Sequence, residues 1–181
     1  YLNRDPRLKQ TVQVEPWVVD GQVIQQEESV TGYLIQKGID KEIGQIGYAT
    51  RSDNDFIHLR YADVLLMYAE ARNEASGPDE SVHNAVNAIR ARSGMPAVAQ
   101  DLSKEAMRER IRHERRIELA FEGHRYFDIK RWKIAPQVMA AVDEPGKGVG
   151  ALNFESHHYV WPFPQSEMDI NPELDQKTGY E

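Results

Sequence analysis

Residues 114–132 read ERRIELAFEGHRYFDIKRW, and this stretch constrains the fold more than any other. Its charge suits a surface helix, but its spacing does not. Wound at about 100° per residue from Met107, it places Met107, Ile111, Glu114, Glu118, Phe121 and Arg125 on one face. Two carboxylates and a guanidinium therefore share an apolar stripe. A buried charge without a partner is costly, so these groups either pair or carry chemistry. Arg115, Arg116, Asp128 and Arg131 lie close by in sequence. Glu114 and Glu118, one turn apart, have the residue types of a glycoside-hydrolysing pair. Neighbouring arginines, however, lower a carboxylate's pKa and spoil a general acid. The expectation is a structural ion network of Glu114, Glu118, Arg125, Asp128 and Arg131, with no catalytic residue.

The rest of the chain reads as a single, mainly α-helical domain over residues 1–181, with long irregular segments and a few short strands. Up to about residue 58, Val18-Val19 and Val23-Ile24 flank Asp20-Gly21 as a hairpin would. A helix is predicted from about Arg60 to Ala75, apolar around most of its circumference and so buried on more than one side. Ser76-Gly77-Pro78 ends it. Asp79 or Ser81 caps a second helix that reaches Arg92 before Ser93-Gly94.

Tyr61, Val64, Leu65 and Tyr68 match the first helix of a tetratricopeptide unit, and Ala85, Ile89 and Pro96 approximate the second, with a connection about eight residues longer. A generic helical hairpin fits the spacing as well. A third helix is predicted from Asp101 or Ser103 to about Glu122, and a fourth from about Arg125 to Trp132. Pro136 and Gly146, Gly148 and Gly150 read as a loop, and Ser166 to Ile170 as one turn at most.

Several function classes find little support. The net charge of −7 disfavours nucleic acid as a partner. The absence of cysteine excludes disulfides and thiolate chemistry. No apolar run approaches the roughly 20 residues of a membrane span. His157 and His158, as strand neighbours, would point apart and share no metal, and Asp53-Asn54-Asp55 lacks the residues that complete a calcium loop. No cofactor or metal is expected. Trp17, Tyr33, Tyr48 and Trp161 remain as rings on which the C–H face of a sugar could stack, although core packing also accounts for such residues.

Five stretches taken together point to a family. They are Asn3-Arg4-Asp5-Pro6-Arg7-Leu8, TGYLIQK from Thr31, RYADVLLMYAEA from Arg60, the stretch at Glu114, and WPFPQSEMDINPELDQKTGY from Trp161. Their order resembles the C-terminal half of the SusD/RagB outer-membrane nutrient-binding lipoproteins. Lys177-Thr178 departs from the Asn-Pro that the family more often has before Gly179-Tyr180.

The resemblance implies a tetratricopeptide-like helix pair and a core-forming role for the charged helix. It further implies a surface-exposed subunit that binds glycans or oligosaccharides and passes them to a SusC-like TonB-dependent transporter. Attachment to the outer membrane would be through a lipid anchor in an N-terminal half absent from this chain. It transfers no binding residue. The alternatives are a tetratricopeptide-like protein-interaction scaffold and a glycoside hydrolase using Glu114 and Glu118.

Overall fold

The computed structural model describes residues 3–13, 16–19, 22–24, 33–39, 55, 57–142 and 152–180. They fall into two compact units, Tyr1–Arg125 and Tyr126–Glu181. The fold is mainly helical. The first unit begins with a short helix α1 (Leu8–Thr11) and two strands, β1 (Trp17–Val19) and β2 (Gln22–Ile24). The strands pair antiparallel with Val18 opposite Val23, while the expected turn residues Asp20 and Gly21 lie outside the described set.

Three helices then form the core: α2 (Tyr61–Ser76), α3 (Glu80–Arg92) and α4 (Lys104–Glu118). Helix α2 is rich in Ala, Leu, Met, Glu and Arg, which lose little freedom in a helix. It ends at Gly77, whose φ of +82° suits glycine at a helix C-terminus, and Pro78 follows. Of the two candidate caps for α3, Asp79 serves: its Oδ1 accepts from the Val82 N–H at 3.0 Å. For α4 it is Ser103, whose Oγ accepts from the Ala106 N–H at 3.2 Å. Each such cap is worth about 1 kcal/mol.

Leu66 and Ala69 from α2, Val82, Val86 and Ile89 from α3, and Met107 and Ile111 from α4 are buried together with Leu119 in adjoining apolar clusters. Full burial stabilises each large side chain by about 1.5–3 kcal/mol.

The structure corrects several expectations in detail. Helix α2 is buried on one side only: Tyr61, Val64, Met67 and Tyr68 are exposed, since among the described elements α3 and α4 pack against its other side. Only Gly77, Pro78 and Asp79 join α2 to α3, so the residues beyond a tetratricopeptide unit lie within the helices and not in the connection. Helix α4 stops at Glu118, four residues early. There Lys37 Nζ and Arg60 Nη2 each donate to the Glu118 carbonyl oxygen at 2.7 Å, which answers a backbone group that continued helix would have answered. Phe121 then turns to φ +62° and is 57% exposed, so it leaves the apolar stripe. Pro136 opens a helix instead of marking a loop, because proline in a first turn gives up no needed N–H.

Helix α5 (His124–Arg131) spans the division between the units. The second unit continues with α6 (Ala135–Ala140), a 3-10 turn at Ser156–Tyr159, and α7 (Gln165–Ile170). The 3-10 turn places the His157 and His158 rings 4.0 Å apart, where a strand would have separated them. The chain end packs back on this turn. Tyr180 sets its ring edge-on to His157, and its hydroxyl donates to the Val160 carbonyl at 3.0 Å. Gly179 makes the approach possible: a Cβ there would lie 2.6 Å from His157 Cγ.

Candidate functional site

Two carboxylates of α4, Glu114 and Glu118, are buried within the first unit. Glu114 is 1% exposed and Glu118 3%. Four arginines hold them, and all come from earlier in the chain. Arg7, just before α1, places Nη1 2.8 Å from Glu118 Oε2. The same nitrogen lies 2.7 Å from Glu114 Oε1, close in distance but too bent in angle for a full hydrogen bond. Arg60, the residue before α2, donates to Glu118 Oε1 at 2.5 Å and takes both oxygens of Glu122 at 2.7 and 2.8 Å. Arg90 and Arg92 sit in the last turn of α3. Arg90 donates to Glu114 at 2.7 Å, and Arg92 straddles both oxygens of Glu118 at 2.6 and 2.7 Å. Asp5 completes the group by binding Arg7 at 2.6 and 3.0 Å.

Burial alone would raise the Glu118 pKa, but the hydrogen bonds from Arg60 and Arg7 outweigh it and hold the group below its ordinary 4.5. Glu122 follows the same pattern: burial raises it, and Arg60 and Lys37 bring it down further. For Arg7, burial works against the charged form, yet Asp5, Glu118 and Glu114 push its pKa up. A carboxylate held ionised by arginines cannot deliver a proton to a leaving group. A cleft of about 400 Å³ does open beside Glu118, lined by Arg7, Thr11, Lys37, Arg60 and Arg92, but the carboxylate reaches it already engaged.

The expected network drew its cations from downstream, whereas the structure supplies Arg7, Arg60, Arg90 and Arg92. Of the downstream residues, Asp128 and Arg131 pair with each other at 2.9 Å. Arg125, the last residue of the first unit, is partly exposed. A second buried pair, Asp63 with Arg115, was not foreseen. Its signal was an aspartate among the apolar residues that open α2. Arg7 and Arg60 each lie in stretches that carry the family resemblance, and that was the only hint of their part.

Of the four candidate rings, two have described side chains. Trp17 lies in β1 with its side chain outside the described set, and Tyr48 is outside it altogether. Tyr33, in the first unit, is 52% exposed, and Trp161, in the second, is 63% exposed. Trp132, expected in the core, is half-buried with the Arg131 guanidinium 4.7 Å over its ring. Among the described residues no group of three His, Cys, Asp or Glu is placed to hold a metal, and no helix is long and apolar enough to cross a membrane.

Comparison with known proteins adds the following. The model of the SusD family matches residues 1–180. SusD-like protein P2 of Formosa agariphila is 34% identical over 131 residues, covering 68% of this chain and 25% of that protein. A SusD-like protein from Bacteroides fragilis superposes with a TM-score of 0.78 at 31% identity, over 99% of this chain and 40% of its own. Surface glycan-binding protein A from Bacteroides uniformis superposes with a TM-score of 0.72 at 25% identity, over 97% and 38%. The chain thus spans about a quarter of the curated relative and two-fifths of the solved ones.

Proposed function

The chain belongs to the SusD family, and we propose that it is part of a cell-surface subunit that captures glycans or oligosaccharides and passes them to a SusC-like TonB-dependent transporter of the outer membrane. The observation that carries this reading is the family match over residues 1–180, joined to a solved relative named as a surface glycan-binding protein. The geometry is in keeping with it. Exposed rings at Tyr33 and Trp161 offer apolar faces for sugar C–H groups, and Trp17 and Tyr48 are further candidates. Capture of this kind needs no bond making, and Glu114 and Glu118 serve the fold. The protein in this reading is a carrier and not an enzyme, and it is anchored by lipid through a part outside this chain.

The exposed stripe of Tyr61, Val64 and Tyr68 on α2 fits the same picture. Its i, i+3, i+7 spacing is that of a helix-packing face, and the solved relatives are more than twice as long as this chain. In this reading the N-terminal part of the whole protein covers it.

Affinity electrophoresis of the full protein against a panel of polysaccharides tests the capture step, and co-purification from membranes tests the hand-off. Retardation by at least one glycan, together with recovery of a TonB-dependent transporter, is the expected result. Migration unchanged by every glycan would contradict capture.

A further inference from the structure

The second unit carries an aromatic cluster built around one lysine. Tyr126 and Trp161 meet with ring centroids 5.8 Å apart at 49°. Lys130 Nζ lies 4.8 Å from the centroid of Tyr126 and 5.1 Å from that of Trp161, and it donates to the Tyr126 hydroxyl at 3.2 Å. Phe127 sets its ring edge-on to Tyr126 at 5.7 Å. Neither outer ring is covered: Trp161 is 63% exposed and Phe127 64%.

Lys130 is the informative member. It sits one helical turn after Tyr126 on α5, so the helix itself aligns the two. The carboxylate nearest in sequence, Asp128, is occupied by Arg131. Among the described residues Lys130 meets no carboxylate; its contacts are the two rings and the hydroxyl. Ring faces and a hydroxyl stabilise an ammonium without neutralising it. Lys133 over Tyr159 and Lys177 over Phe163 are also lysine–ring pairs, but each has a single, half-buried ring. Only around Lys130, among these three, does the charge adjoin a largely exposed indole.

We propose that Tyr126, Lys130 and Trp161 form a subsite for a sugar that carries a negative charge, as a carboxylate or a sulfate ester. This rests on the glycan-capture reading above and gives it a substrate class. The C–H face of the sugar stacks on the exposed indole of Trp161. Its anionic substituent takes a charge-assisted hydrogen bond from Lys130, whose flexible stem swings the ammonium to meet it. Phe127 extends the apolar surface. A neutral sugar on the same ring strips water from the ammonium and returns no counter-charge, so it binds less well.

Isothermal titration of the full protein decides the matter with three probes: an oligogalacturonate, a sulfated galactan oligosaccharide and a neutral β-glucan oligosaccharide. Two substitutions, Lys130→Met and Trp161→Ala, are titrated beside the parent. At least one charged probe should bind the parent more tightly than the neutral one, and which of the two does so separates carboxylate from sulfate. Lys130→Met should weaken that probe by about tenfold or more and remove much of its salt dependence. Trp161→Ala should weaken it as well. If the neutral probe binds as well as the charged ones, or if Lys130→Met leaves the charged probes unaffected, the charge preference is wrong while glycan capture stands. If none of the three binds the parent, the anionic subsite is wrong, and capture itself stands or falls with the polysaccharide panel.

Discussion

Around Glu118 three arginines surround one buried carboxylate; around Lys130 two rings and a hydroxyl surround an ammonium that meets no carboxylate among the described residues. Both places gather charges and strong partners, and they differ in what is left over. At Glu118 burial and pairing close the account, so the free energy goes into holding α1, α2, α3 and α4 in register. At Lys130 a positive charge and an exposed indole remain, so a ligand still has something to gain there. Clusters of charge therefore separate by residual demand: a satisfied one is architecture, and an unsatisfied one at the surface is a place to look for binding.

The contrast can be broken most forcefully at Glu118. Replacing it by Gln removes the carboxylate that Arg7, Arg60 and Arg92 share, and taking one member out of a buried ion network costs about 3–5 kcal/mol. Urea unfolding of Glu118→Gln should show a loss of that order. A comparable loss, about 2–5 kcal/mol, is expected for Ile111→Ala, which empties a fully buried site two turns earlier on α4. Phe127→Ala, on the exposed side of the comparison, should change stability by no more than about 0.5 kcal/mol.

Acid sharpens the same distinction. Glu118 and Glu122 have folded pKa values below the ordinary 4.5. A depressed carboxylate stabilises the fold in full above its unfolded pKa and loses that contribution as pH falls through the folded value. The urea midpoint should therefore hold level from neutral pH to about 5 and fall below it, and the fall should be shallower in Glu118→Gln.

How much of this was legible in the sequence depended on distance along the chain. Helices α2 to α4 and their caps were readable because apolar period, Asp79, Ser103 and Gly77 act within a few residues. The inward turn of Glu114 and Glu118 followed from the same period. Their partners did not, since Arg90 lies 24 positions from Glu114 and Arg7 lies 111 from Glu118, and no local pattern reports such a pairing. The early stop of α4 has the same cause: Lys37 and Arg60 reach its last carbonyl from elsewhere in the fold. The outward exposure of α2 was hidden for another reason, because composition says that a face is apolar and not whether anything covers it. Trp161 was legible as a ring, but its place beside Lys130 was not, since 31 positions separate them and the contact forms only in the fold.

The most direct trial of the central claim, that the paired carboxylates of α4 hold the protein together and turn over nothing, is the double substitution Glu114→Gln with Glu118→Gln. Its thermal midpoint is measured beside the parent, with reducing-sugar release from a polysaccharide panel followed for both. A marked drop in midpoint, with no cleavage by parent or variant, is the expected result. A variant that melts with the parent while abolishing a cleavage the parent performs would contradict it.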